Sequence, residues 1–298
     1  MLETFLQPRS SPKLRKEVDA VIKKFFVAMI LGLLVMSSQI VSAADVDWSK
    51  VPRIGSKAQL ANYIEDGRRR GQKEFNFVLT YNKVNNHDEL VKLSEELGNR
   101  IAPAQDSSSI VPLDDLGKPQ WGSGRLTYII KKEYPGVHVA NAYLSRQQDI
   151  AWKNLDDEEK LLYSEALTIV NEANKRSSEV EKARYIHDEI CKRKKEFRVE
   201  NDRNKTAVGA LIDGYAQCQG YSDAFYMLGR MCGLDVRMIG GSATDKNGHW
   251  GLHQWNTITF NDGKTYFVDV TNGNLFKVTY EDIKQTHSWD REIVPNLQ

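Results

Sequence analysis

The stretch Gly214-Tyr215-Ala216-Gln217-Cys218-Gln219-Gly220-Tyr221-Ser222 opens an apolar run that ends at Gly233, and it constrains the fold more than any other part of the chain. Cys218, Tyr221, Ser222, Phe225, Gly229 and Cys232 share one stripe at helical spacing, and Ala224, Leu228 and Met231 widen it. A helix that is apolar on most sides must be buried on most sides, so other elements have to be laid around it. Cys218 stands at its opening turn. Unpaired backbone N–H groups and a partial positive charge there favour a thiolate and can receive an oxyanion.

Two strands are expected downstream, His253 to Phe260 and Thr265 to Val270, around the hairpin signal Asn261-Asp262-Gly263-Lys264. Their register decides whether the imidazole and the carboxylate can meet, because a slip of one residue reverses every side chain. A two-residue turn at Asp262-Gly263 pairs Asn256 with Asp269 and puts His253 on the opposite face from that carboxylate. A three-residue loop Asn261-Asp262-Gly263, with Gly263 left-handed, pairs Trp255 with Asp269 instead. His253 is then the diagonal neighbour of Asp269, about 7–8 Å away between backbones and within side-chain reach. With that loop, Cys218, His253 and Asp269 are the expected nucleophile, base and orienting acid, and the backbone N–H of Cys218 is one oxyanion donor. Trp255, on the His253 face, reads either as a shield over the His-Asp pair or as a core aromatic.

Glu181-Lys182-Ala183 to Ile186-His187-Asp188, Cys218-Gln219-Gly220-Tyr221-Ser222, His253-Gln254-Trp255-Asn256 and Val268-Asp269-Val270-Thr271, in this order and spacing, resemble a transglutaminase-like domain of the bacterial, export-associated kind. The resemblance covers about residues 177–271. It implies an α+β, papain-like fold in which the helix headed by the nucleophile packs on an antiparallel sheet carrying the histidine and the acid. It also implies catalytic roles for Cys218, His253 and Asp269. Two departures stand out. The family commonly shows Gly-His-Ala-Trp-Asn, whereas Gly248-His249-Trp250 precedes the His253 motif here, so His249 is an alternative alignment that lacks the following Trp-Asn. Asn272 stands where a tryptophan often follows the Asp-Val-Thr run. His249 and His253 are four apart, but the glycines around them exclude the helix that a zinc pair of this spacing needs.

The first 44 residues read as an export signal: Lys23-Lys24, the apolar run Phe25 to Met36, and Val41-Ser42-Ala43-Ala44 with small residues for cleavage. An uncleaved anchor is the alternative, although the apolar run is short for a bilayer. The charged residues before Val21 are unusual for such a signal, which places the expected start near Val21. Losing the leader, with its six basic and three acidic residues, takes the formal charge from +1 to −2, which offers no basis for binding nucleic acid. Arg68-Arg69-Arg70 and Lys192-Arg193-Lys194-Lys195 are expected as solvated helix faces. With three cysteines, Cys191 and Cys232 either pair or lie unpaired on apolar helix faces, and Cys218 is the reactive thiol.

Residues 45–150 are expected as a small α+β domain with no chemistry of its own, and residues 151–298 as the catalytic domain. In the first, Lys57 to Arg70 and Asp88 to Leu97 read helical, Phe75 to Tyr81 as a strand, Pro103 to Gly124 as loop, and Arg125 to Glu133 and Val137 to Leu144 as strands joined at Pro135-Gly136. In the second, Asp156 to Lys175 reads helical. A capping box at Ser178 to Glu181 opens a helix on which His187 is a core or interface histidine. A strand is expected at Asp235 to Ile239, ending at Gly240-Gly241, followed by a loop to Gly251. The functional expectation is an exported cysteine enzyme acting on peptide or protein amides through a thioester, by hydrolysis or amine transfer. No cofactor, metal, nucleic acid or lasting membrane association is expected, and the oligomeric state is open. The alternative is a non-catalytic module of the same fold that binds surface proteins or wall polymers.

Overall fold

The computed structural model describes residues 46–195, 201–245, 247–272 and 275–294, all within one compact unit. The expected leader, residues 1–44, lies outside the described residues, as does the expected start near Val21. No helix among the described residues is long and apolar enough to cross a membrane.

The amino-terminal part runs β1 (Arg53–Ile54), α1 (Lys57–Arg69), β2 (Glu74–Leu79), α2 (His87–Glu96), a π-type turn (Leu97–Ile101), β3 (Asp106–Ile110) and β4 (Arg125–Lys132). Its sheet has the order β1-β2-β4-β3, antiparallel except for the β1-β2 pair. β3 falls inside the span expected as loop. Its Asp-Ser-Ser-Ser-Ile sequence has no apolar alternation to betray it, and it forms as an edge strand on β4.

Pro135–Leu144, expected as a strand, is helix α3. Pro135 fixes the first-turn backbone angle and gives up an N–H that no helix could pair, so the expected Pro135-Gly136 turn is a helix start. α4 (Gln148–Lys153), α5 (Asp157–Ala173) and α6 (Glu179–Lys192) follow. Asp156 and Glu159 form a reciprocal capping box on α5. At α6, Ser178 accepts the N–H of Glu181 as expected, but the Glu181 carboxylate turns back to Ser177, so the box is incomplete. His187 is buried against Phe276 as the expected core histidine. All three cysteines are free.

α7 (Cys218–Met231) is buried from Gly220 to Met231 and packs on a sheet of order β8-β7-β6-β5-β9. Those strands are β5 (Asp235–Thr244), β6 (Trp250–Thr259), β7 (Thr265–Asp269), β8 (Leu275–Val278) and β9 (His287–Ser288), with the one-turn helix α8 (Tyr280–Ile283) between the last two. The antiparallel sheet is covered on both faces. Val236, Met238, Ile258 and Val268 join the core around α7, while Ile239, Trp255 and Phe267 join a second core with Leu60, Phe77 and Tyr128 of the amino-terminal part.

Two expectations about charge and glycine are corrected. Arg68 is 1% exposed and no solvated residue: its guanidinium grips Glu133 through two bonds, Nε to Oε2 at 2.7 Å and Nη2 to Oε1 at 2.6 Å. In the second basic run, Lys194 donates to the carbonyls of Val270 and Thr271 and so ties α6 to the end of β7. Gly240-Gly241 does not end β5, which continues to Thr244 and leaves only a short turn before β6. The glycines serve close approach: a Cβ at Gly240 would lie 1.7 Å from the Asn99 carbonyl oxygen, and one at Gly241 would lie 2.2 Å from that of Ser288.

Candidate active site

Cys218 is the first residue of α7, behind an extended Gln217 whose side chain makes no cap. The first-turn N–H groups are therefore not consumed by a capping oxygen, and they keep their capacity to hold an anion. The 3₁₀ turn Asp202–Lys205 presses against this end, with Gln217 donating its N–H to the Asn204 carbonyl at 2.7 Å. Gly220 allows the contact, because a Cβ there would sit 2.6 Å from the Thr206 oxygen and 2.7 Å from that of Asn204. The Cys218 thiol is half-buried, 3.3 Å from Gln219 Oε1.

The hairpin takes the three-residue form. Phe260 and Lys264 close the loop, Gly263 has φ 78°, and Asn256 pairs with Val268, which one step outward sets Trp255 opposite Asp269. His253 is thereby diagonal to Asp269, with its Nε2 2.9 Å from Oδ2. Trp255, 1% exposed, stacks on the His253 ring at 5.7 Å and 19° while sitting in the second core, so shield and core aromatic are the same residue.

Alternation turns His253 and Trp255 away from the face that Asn256 presents to α7. Cys218 stands at the tip of that helix and lines the same cleft as His253, close enough for its charge to act on the ring. Because Nε2 is engaged by Asp269, Nδ1 is the ring nitrogen left for the sulfur. Burial alone would lower the His253 pKa, but the hydrogen bond to Asp269 and the neighbouring Asp269 carboxylate and Cys218 sulfur outweigh it and hold the ring well above the usual imidazole value.

Asp269 is the hub. Its Oδ2 accepts from His253, from Asn272 Nδ2 at 2.6 Å and from His287 Nε2 at 3.3 Å, and its Oδ1 accepts the Thr271 N–H at 3.0 Å. Burial opposes its charge, yet the bonds from the two histidines and their charges hold the carboxyl well below the usual carboxylate range. Asn272, the residue at the departure from the family pattern, is thus a ligand of the acid. His287 escaped the sequence reading: it lies on a two-residue strand with no periodic signal around it. His253, Asp269 and His287 place one ligand atom each within 4.8 Å of one another, a cluster already knitted by its own hydrogen bonds. His249 takes no part. It is exposed in the β5-β6 turn and faces Asp245 at 3.3 Å.

The cleft beside Cys218 holds about 380 Å³. Cys218, Gln219, His253 and Gln254 line it together with Asn99, Gln105, Lys132 and Tyr134. The amino-terminal part therefore supplies a wall of the site, which its sequence gave no reason to expect. The Tyr134 hydroxyl donates to Gln254 Oε1 at 3.1 Å.

Residues 167–270 match the family model described as the transglutaminase-like superfamily. A search of curated proteins gives no match. Among solved structures, the chain is similar to the crystal structure of a TGase at 11% identity and TM-score 0.33, over 74% of this chain and 59% of that one. It is also similar to a candidate protease from Parabacteroides distasonis at 12% identity and TM-score 0.28, over 51% of this chain and 30% of that one. The chain thus spans less than two thirds of either neighbour's length. The matched family span includes Cys218, His253 and Asp269 and stops short of His287. From the second half of α5 to the end of the His-Asp hairpin, this chain carries a transglutaminase-like domain.

Proposed function

We propose that the protein is a cysteine enzyme that transfers or hydrolyses acyl groups of peptide or protein amides through a thioester. The observation that carries this reading is the position of one imidazole, hydrogen-bonded to Asp269 and lining the same open cleft as the Cys218 thiol. The Cys218 sulfur, its proton resting on His253 Nδ1 in a thiolate–imidazolium pair, attacks the amide carbon and forms the C–S bond. The tetrahedral oxyanion is met by the Cys218 N–H at the head of α7. Its collapse breaks the C–N bond, and the leaving amine takes the proton from His253. Asp269 keeps the ring in the Nε2–H tautomer and stabilises its charged form. Water or a second amine then attacks the thioester, with His253 as base, and regenerates the thiol. We further propose that this chemistry takes place outside the cytoplasm, because residues 23–44 have the form of an export signal.

The test is incubation of the protein with a peptide library and a labelled primary amine, scored by mass for cleavage and amine incorporation. Either product, absent in Cys218→Ala, is expected. Turnover that persists in Cys218→Ala would overturn the reading. So would full absence of both products combined with a Cys218 that iodoacetamide labels no faster than Cys191, which would leave a binding module.

A further inference from the structure

Asp269 is held from two sides, and the second hold comes from the carboxy-terminal segment. His287 is 2% exposed, with its ring 4.9 Å from that of Trp255 and 5.5 Å from that of His253. β9 pairs with β5 at Ala243 and Ser242, and Gly241 leaves room for the Ser288 carbonyl beside it. His287 Nδ1 meets Thr286 Oγ1 at 2.9 Å and its Nε2 meets Asp269 Oδ2 at 3.3 Å. An ionised carboxylate only accepts, so the hydrogen-bond network assigns a proton to Nε2 of both imidazoles.

We propose that His287 is a positioning residue that shares the Asp269 carboxylate with His253 and thereby lowers the pH at which the His253 ring gives up its second proton. Each N–H donated to a carboxylate spreads its charge and weakens its hold on a neighbouring cation. Without the His287 donor, Asp269 would concentrate its charge on His253, and the imidazolium would persist to higher pH. Among the described residues, the other titratable groups facing this pair are Cys218 from α7, and Cys191 and Lys194 from α6 and its end. None is altered by a change at 287. The purpose of the device rests on the acyl-transfer reading; its test does not.

The measurement is an NMR titration of the His253 ring in the full chain carrying Cys218→Ala, which removes the coupled thiol. His287→Phe keeps a ring without a donor, and His287→Gln keeps an amide N–H. The His253 midpoint is expected to rise by about one pH unit in His287→Phe and to move much less in His287→Gln. A folded His287→Phe with an unchanged or lowered midpoint overturns the proposal. Should that variant not fold, the unsubstituted ring still decides: a proton on His287 Nε2 across the neutral range supports the proposal, and a bare Nε2 overturns it. A chain without peptide turnover would still show the shift, so failure of this proposal and failure of the proposed activity remain distinct.

Discussion

The carbonyl oxygen of Asn99 crosses β5 at Gly240 so closely that a Cβ there would lie 1.7 Å from it. Both residues are backbone at the contact, so no side chain can swing aside. Asn99 also lines the cleft, which makes Gly240 the point where the amino-terminal part is pressed against the sheet beneath α7. Gly240→Ala is expected to destabilise by about 3 kcal/mol, the upper part of the usual overpacking range, and to push the 97–101 turn outward. Urea denaturation measures the first effect. The second should appear as faster iodoacetamide labelling of Cys218, and a variant with wild-type stability would contradict the close approach.

The same glycines show what the sequence could and could not tell. The register of the β6-β7 hairpin was legible because Asn261-Asp262-Gly263 is local chemistry and because the pairing of His253 with Asp269 admits only one loop length. Gly240-Gly241 was misread as a strand end, since the reason for those glycines is the chain at Asn99 and Ser288, more than 40 residues away in either direction. Arg68 looked like one charge among three, and only the distant Glu133 makes it an interior residue. His287 is in the same position, marked by nothing near it in sequence and placed by a two-residue strand. The Asn261-Asp262-Gly263 loop and the α7 stripe were legible locally, whereas Pro135-Gly136, which opens a helix and not a strand turn, and the tertiary partners of Gly240, Arg68 and His287 were not.

Asp269→Asn tests the orientation of the histidine. The amide would present an N–H where His253 and His287 now donate to Oδ2 at 2.9 and 3.3 Å, so one donor would face another unless the ring changed tautomer. A neutral His253 carrying its proton on Nδ1 cannot take one from Cys218. Turnover on any peptide found to be cleaved is expected to fall by about 10³- to 10⁴-fold, with KM little changed. A loss below about tenfold, with the fold intact by circular dichroism, would mean that Asp269 does not set the tautomer.

Arg68 and Glu133 give a prediction about stability. With both side chains buried, removing one leaves the other charged and uncompensated, and Glu65 sits 3.8 Å from the same guanidinium. Arg68→Ala is therefore expected to cost about 3–5 kcal/mol, whereas replacing the pair together by Met and Leu should recover most of that loss. Chemical denaturation of the single and double variants decides. A double variant as unstable as the single one would show that the guanidinium's other partners matter more than its charge pairing.

Asp223 lies on the buried face of α7, where one oxygen accepts the N–H groups of Ala207 at 2.8 Å and Gly136 at 3.2 Å and the other has no partner. Burial pushes its pKa up to about 7, against the pull of those two bonds. The folded state therefore binds a proton that the unfolded chain has already lost at pH 5 or 6. The contribution is fully present below the unfolded value, near 3.8, and is lost as pH rises toward 7, at about 1.4 kcal/mol per pH unit for one proton. Asp223→Asn keeps an accepting oxygen and cannot ionise, so its stability relative to the unsubstituted protein should improve as pH is raised from 5 to 8. Urea midpoints at those two pH values test this, and a difference that stays constant across the range would show that Asp223 is already ionised in the native fold at pH 5.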